Sequence, residues 1–166
     1  MTMRSVSSLV ADRSGAAAVE MALVTPLLIL LMFGTFELGH FFLSEHVVQK
    51  AARDAARYAA RLPMSSYPSC TPTSATLTQI QKVARTGNPS GTVQRLEGWS
   101  SDSMTTVAMS CDTSGTYTGL FSDNPQGAPT ITVTSSVPYM PLWGALGFNT
   151  SSLVVSARSQ TPGFGA

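Results

Sequence analysis

The stretch that decides the fold is Arg13-Ser-Gly-Ala-Ala-Ala-Val-Glu-Met-Ala-Leu-Val-Thr-Pro-Leu-Leu-Ile-Leu-Leu-Met-Phe-Gly-Thr-Phe-Glu37, near the start of the chain. Between Ala16 and Phe36 its only charged residue is Glu20. About twenty apolar helical residues, at ~1.5 Å each, span the ~30 Å hydrocarbon core of a bilayer. The stretch therefore predicts a membrane helix with one acid inside it.

The acid needs an explanation, because an unpaired carboxylate inside a bilayer is costly and usually marks a function. Glu20 lies about one turn into the apolar run, so it either reaches the headgroups, is protonated, or pairs with a cation. A cut after Gly15 would make Ala16 a cationic N-terminus and Glu20 the fifth residue of the product. An amine and a carboxylate on staggered neighbouring subunits would then neutralise each other.

Gly15 followed by an apolar helix with an acid at its fifth position resembles the processing site of type IV pilin precursors. Within that superfamily the segment 19–26 (VEMALVTP), with Gly34 and Glu37, resembles the TadE-like proteins of tight-adherence pilus systems. The segment 55–59 (AARYA) fits the same family, and the similarity covers roughly residues 13–61. Met21 departs from the family, which usually has an aromatic residue after the glutamate.

The resemblance implies a function, a set of partners and a set of site residues. It implies a minor pilin or pseudopilin in the assembly or initiation of a tight-adherence (type IVc) pilus, cut between Gly15 and Ala16. The implied partners are the prepilin peptidase, other pilins or pseudopilins and the inner-membrane pilus platform. The expected subunit-assembly residues are Glu20, Pro26 and Glu37. Pro26 has no N–H, so a kink is also expected there. Both entry into the filament and retention in the membrane agree with the sequence.

Two other kinds of N-terminal segment fit the sequence less well. A secretory signal is disfavoured, because the run is too long, contains Glu20 and lacks a small-x-small site before Glu37. No cysteine closes the run, which excludes a lipoprotein. The alternative that remains is an uncleaved single-pass membrane protein with an exported ligand- or envelope-binding domain, since hydropathy does not distinguish it from a pilin.

Composition limits what the rest of the chain does. The 166 residues, 11% of them charged and with a net charge of +1, suffice for one membrane helix and one small domain. No strongly basic stretch predicts nucleic-acid binding. We found no nucleophile–base pair, phosphate loop or metal cluster, so neither an enzyme nor a cofactor is expected. Glu37, His40, Glu45 and His46 match no metal motif, and we expect them at the membrane interface.

Basic residues lie on both sides of the predicted membrane helix, so they do not fix the orientation of that helix. We therefore infer the compartment of the C-terminal part from its composition. Cys70 and Cys111 lie in a Ser/Thr-rich region that suits an oxidising compartment. We therefore expect the C-terminal domain in the periplasm or outside, and the resemblance implies a protein of the bacterial inner membrane, in contact with lipid. The two cysteines are either a disulfide, worth about 4 kcal/mol by loop entropy, or two free buried thiols.

The helical pattern continues beyond the membrane run to Leu62 and stops at Pro63. Its small residues form one face, and Arg53, Arg57 and Arg61 form a cationic row. The small residues are Val47, Val48, Ala51, Ala52, Ala55, Ala56, Ala59 and Ala60. This face either contacts another helix closely or packs under the protein's own C-terminal domain. The arginine row is interpreted as solvated, with lipid headgroups or acids of a neighbouring subunit as the alternative contacts.

The predicted fold class is α+β, with a leader at 1–15, a transmembrane and amphipathic helix at 16–62 and an exported β-rich domain at 63–166. Helical spacing predicts a short helix from Ser74 to Arg85. Alternation predicts three or four antiparallel strands, at 105–111, at 130–137 and around 153–157. The apolar loop 138–148 would cover the sheet, rest on the membrane or touch a partner, and cover of the core is preferred.

Overall fold

The computed structural model describes residues 15–114, 117, 119–122, 124, 127–144 and 152–164. The chain divides into two compact units, Met1–Gly39 and His40–Ala166. Residues 1–14 of the predicted leader lie outside the described residues.

The first helix, α1, comprises Ala16–Ala60. Its side chains from Ala16 to Met32 are all exposed, and an 18-residue window with a mean hydropathy of 2.2 is long and apolar enough to cross a membrane. The helix continues without interruption through Pro26, which cannot donate a backbone hydrogen bond to Ala22. One residue earlier, the Thr25 hydroxyl donates to the Met21 carbonyl oxygen at 2.5 Å. The predicted membrane helix is therefore present as one long apolar helix.

The later part of α1 belongs to the second unit and packs against its core. The buried residues on this part are Ser44, Val48, Ala51, Ala52, Ala55, Ala56, Ala59 and Ala60. They recur every three or four residues, so they lie on one face of the helix. Most of them belong to one core cluster with residues of the short helix and the sheet. The small-residue face thus packs under the protein's own C-terminal domain, which was one of the two interpretations left open by the sequence.

The second helix, α2, comprises Ser74–Thr86 and has a defined signal at each end. At the start, the Thr73 hydroxyl accepts a hydrogen bond from the Thr76 N–H at 3.3 Å. At the end, Gly87 has φ +87° and its N–H donates to the Val83 carbonyl oxygen at 2.8 Å. Ile80 and Val83 are buried against the core, which confirms the predicted amphipathic helix.

The sheet has three strands within the described part of the chain: β1 (Thr105–Asp112), β2 (Ala128–Pro138) and β3 (Val154–Pro162). They pair antiparallel in the order β1-β2-β3. On the central strand Ile131, Val133 and Val137 are buried and alternate with less buried residues, because successive side chains point to opposite faces. The α+β fold class is confirmed. Leu153, predicted as part of a strand, directly precedes β3.

The core lies between the inner face of the sheet, α2 and the later part of α1. Its largest fully buried side chains are Trp99 and Tyr67, both in connecting segments. A disulfide joins Cys70, which follows α1, to Cys111 in β1, with the two Cα atoms 6.0 Å apart. Of the two states expected for these cysteines, the structure contains the disulfide.

Candidate functional site

The predicted cleavage site lies at the start of the membrane helix. Gly15 is exposed and directly precedes Ala16, the first residue of α1. A Cβ added at Gly15 would meet no atom within 4 Å, and its φ is not in the left-handed region. The fold therefore has no need for glycine at this position, and any requirement for it would come from recognition by another molecule.

Glu20 is exposed on the first turns of α1, among apolar side chains. Within the described part of the chain it makes no hydrogen bond and no ion pair. A carboxylate in this position is expensive in lipid unless a cation from elsewhere neutralises it. Glu37, the second acid of the resemblance, is half-buried in the same helix, and Pro26 is exposed.

The polar residues that follow the membrane run stabilise the domain. His40 Nδ1 lies 3.1 Å from the Tyr139 hydroxyl oxygen, so these two groups are hydrogen-bonded. The Tyr139 ring packs edge-on against Phe41, with 5.2 Å between the ring centroids. Glu45 accepts a hydrogen bond from the Gln49 side chain at 3.0 Å. No group of three or more His, Cys, Asp or Glu side chains suited to a metal ion occurs among the described residues.

Sequence reasoning missed the link between His40 and Tyr139. The two residues are 99 positions apart, and no local pattern connects them. Tyr139 itself is buried, as predicted for a loop that covers the core, whereas Met140 and Leu142 of the same loop are exposed. Residues 145–148 of the predicted loop lie outside the described residues. Cover of the core therefore explains Tyr139 and leaves its two apolar neighbours unexplained.

A basic cleft lies between the end of α1 and the end of α2, and it has a volume of about 310 Å³. The cleft is lined by Asp54, Arg57, Tyr58, Arg61, Val83, Gly87, Pro89 and Arg95. Arg95 Nη1 bonds Asp54 Oδ2 at 2.8 Å, which uses the single acid of the lining. Arg57 and Arg61 are exposed and make no ion pair within the described residues. The cleft therefore carries an excess of positive charge and suits an anionic group.

The three arginines of the predicted cationic row do not all belong to the cleft. Arg57 and Arg61 face the cleft, while Arg53 is exposed and does not line it. Gly87 also lines the cleft, and a Cβ at that position would lie 2.7 Å from Nη2 of Arg95, so the Arg95 side chain would have to shift. The sequence showed the row but gave no sign of Arg95, which reaches α1 from the segment after α2.

Together these features define a class: a chain in which one helix, long and apolar enough to cross a membrane, continues into a small disulfide-bonded α+β domain within the described residues. Comparison with protein families matches residues 15–57 to the family described as TadE-like protein, and this confirms the resemblance over that segment. The matched segment contains Gly15, Glu20, Pro26 and Glu37, and it ends before the sheet begins. Comparisons with curated proteins and with solved structures gave no match.

Proposed function

We propose that this chain is a minor pilin or pseudopilin that acts in the assembly or initiation of a tight-adherence (type IVc) pilus. A prepilin peptidase cuts the precursor between Gly15 and Ala16. The product then acts with other pilins or pseudopilins and with the inner-membrane platform. The observation that carries the proposal is Glu20, an exposed acid in an apolar, family-matched helix, without a partner in the described part of its own chain.

The proposed role of Glu20 is to pair with the new N-terminus of a neighbouring subunit. Four residues separate it from Ala16, which corresponds to about 6 Å along a helix. Two parallel helices therefore bring the amine of one to the carboxylate of the other when they are shifted axially by that distance. Removing one partner of a desolvated pair leaves the other charge uncompensated, at a cost of about 3–5 kcal/mol. The pair would thus set the register between subunits and make assembly depend on cleavage.

The proposed location is the bacterial inner membrane, with the domain in the periplasm or outside. The Cys70–Cys111 disulfide supports this side, because disulfides persist in oxidising compartments. In this orientation the leader is on the cytoplasmic side, where the resemblance places the peptidase.

The first experiment determines the N-terminal residue and the intact mass of the membrane-extracted protein, with and without the peptidase. We expect a start at Ala16 that requires the peptidase and is lost in Gly15→Ala. Gly34→Ala is the matched control, because a Cβ meets no atom within 4 Å at either glycine. A start at residue 1 or 2 despite active peptidase would contradict cleavage.

The second experiment tests the pairing. Glu20→Gln removes the negative charge with little change in shape, and we expect normal cleavage but loss of pilus assembly. Glu45→Gln is the control, because it removes a charge from the same helix and its contact to Gln49 stays possible. Assembly by Glu20→Gln at the level of Glu45→Gln would exclude the pairing role.

The alternative function is an uncleaved membrane anchor whose exported domain binds a ligand or envelope component. The basic cleft favours it, because Arg57 and Arg61 are available there to an anionic group. In this case Arg57→Ala with Arg61→Ala abolishes function, while Gly15→Ala and Glu20→Gln retain it. The pilin function predicts loss of function in the last two variants.

A further inference from the structure

We propose that the basic cleft binds the phosphate group of a small phosphate monoester, between the side chains of Arg57 and Arg61. The eight residues that line the cleft all belong to the second unit, His40–Ala166, so the site lies within one compact part of the chain. The proposal names a ligand class for the alternative function, but it rests on the cleft alone and applies equally to a processed pilin. A negative result for it would leave the cleavage at Gly15 unaffected.

Arg57 and Arg61 carry positive charges that nothing in the described part of the chain neutralises. Both residues are exposed, and their guanidinium groups make no hydrogen bond or ion pair within the described residues. They are four positions apart on α1, which places two like charges side by side on one helix face and is unfavourable. An anion bound between the two guanidinium groups would replace this repulsion by two attractions.

The two arginines are not needed to complete the end of α1. Basic side chains near a helix C-terminus can bond its last carbonyl oxygens. Here the carbonyl oxygens of residues 58, 59 and 60 already accept backbone hydrogen bonds at 3.1, 3.2 and 2.9 Å. The Ala59 carbonyl oxygen also accepts from the Tyr67 hydroxyl. The guanidinium groups are therefore left for a ligand.

The charge of the lining matches that of a phosphate monoester. The lining contains three arginines and one acid, Asp54, so its net charge is +2. Asp54 is bonded to Arg95 at 2.8 Å, which leaves the charges of Arg57 and Arg61 for the ligand. A phosphate monoester carries a charge of about −1.5 to −2 at pH 7, whereas a carboxylate carries only one negative charge.

The arrangement of donors and the size of the cleft also favour a phosphate monoester. A carboxylate has two oxygens in one plane and typically pairs with one guanidinium fork. A monoester phosphate has three terminal oxygens, so it can accept from two forks that lie at different positions along a helix. The cleft volume of about 310 Å³ exceeds that of a phosphate group, and Val83 and Pro89 give it apolar walls. The remaining space accepts the organic part of the ligand.

Isothermal titration calorimetry of the full chain in maltoside micelles, which contain no phosphate, tests the choice of ligand. The probes are inorganic phosphate, glycerol 3-phosphate and acetate. We expect glycerol 3-phosphate to bind at least as tightly as inorganic phosphate, and acetate to bind roughly tenfold more weakly or less. Acetate binding as tight as that of glycerol 3-phosphate would overturn the choice of phosphate, and binding of inorganic phosphate alone would overturn the monoester.

The arginine row supplies the matched control. Arg57→Gln/Arg61→Gln should lower the affinity for glycerol 3-phosphate roughly tenfold or more, because it removes both charge-assisted contacts. Arg53→Gln removes a charge from the same helix outside the cleft, and its effect should stay below about twofold. Equal losses in the two variants would mean that the general charge of the helix attracts the anion, and would overturn the proposal. Unchanged binding by the double variant would overturn it as well.

Two further measurements keep the test independent of folding defects. Circular dichroism without ligand should show the double variant at least as stable as the wild type, because a repulsive pair of charges is removed. Asp54→Asn keeps both ligand-binding arginines and releases Arg95 from its ion pair, so it should increase the affinity for glycerol 3-phosphate. A lower affinity of folded Asp54→Asn would contradict a cleft that binds through its positive charge.

Discussion

Tyr67 joins the end of the long helix to the domain, and its hydroxyl group gives a prediction with a distinct pH signature. The side chain is 1% exposed, and the hydroxyl donates to the Ala59 carbonyl oxygen at 2.6 Å. That carbonyl also accepts from the Leu62 N–H at 3.2 Å, so Tyr67→Phe leaves it with one partner. Because the buried Ala59 carbonyl keeps one hydrogen bond, the variant avoids the full cost of an unsatisfied buried polar group. We therefore expect Tyr67→Phe to lower the free energy of unfolding by about 1–1.5 kcal/mol.

The pH dependence follows from the pKa of the same group. Burial, with a smaller contribution from the charge of Tyr58, raises the pKa of Tyr67 to about 12, compared with 10.0 for an ordinary tyrosine. The unfolded chain therefore ionises first, so this stability is complete below pH 10 and is lost as the pH rises towards 12. At pH 11, one unit above the pKa of the unfolded chain, the free energy of unfolding has fallen by about 1.4 kcal/mol. Tyr67→Phe lacks this loss, so the difference between wild type and variant should nearly close at pH 11.

The assay is denaturant unfolding of the full chain in detergent micelles at pH 8 and pH 11, followed by circular dichroism. Tyr58→Phe is the matched control, because the Tyr58 hydroxyl is 3.4 Å from Gln79 Oε1 in an exposed contact. We expect this control to change stability by about 0.5 kcal/mol or less. Equal effects of the two substitutions at pH 8, or an undiminished difference at pH 11, would refute the reasoning.

Three further predictions concern the domain. Replacing Cys70 and Cys111 together by serine should lower the free energy of unfolding by about 4 kcal/mol, because it releases a loop with a sequence separation of 41 residues. Ala55→Leu should cost about 1–3 kcal/mol, since Ala55 is fully buried in the core and a larger side chain overpacks it. Gly87→Ala should cost about 1–2 kcal/mol, because its φ is +87° and its Cβ would displace Arg95. Denaturant unfolding of each variant checks the magnitudes.

Each of these variants has a control. Reductant should destabilise the wild type but leave the double serine variant unchanged. Arg57→Leu places leucine on the exposed side of the same helix and should cost less than Ala55→Leu. Gly39→Ala, where a Cβ meets no atom within 4 Å, should not show the cost of Gly87→Ala. If Arg57→Leu costs as much as Ala55→Leu, overpacking of the core is not the cause, and if Gly39→Ala costs as much as Gly87→Ala, the positive φ is not the cause. A double serine variant as stable as the oxidised wild type would contradict stabilisation by the disulfide.

The elements of this fold were predictable where their signals are local. The apolar run from Ala16 to Phe36 indicates a helix by length and hydropathy alone. The shorter helix α2 has its signals at Thr73 and Gly87, within one residue of its ends. Alternation along the strands gave the inner face of the sheet, because the side-chain period of two depends only on the local backbone. The candidate site at Gly15 and Glu20 was equally visible, since it lies within six consecutive positions.

The tertiary structure decided how these elements meet. The sequence left two partners open for the small-residue face of α1, and only the packing of Ala55 against the domain core distinguishes them. The contact between His40 and Tyr139 and the ion pair between Asp54 and Arg95 join residues 99 and 41 positions apart. No periodic pattern encodes such pairs, because they depend on the path of the whole chain between them. Local backbone chemistry thus set the elements, and adjacent residues set the candidate cleavage motif, whereas long-range packing set the basic cleft and the burial of the later part of α1 in the domain core.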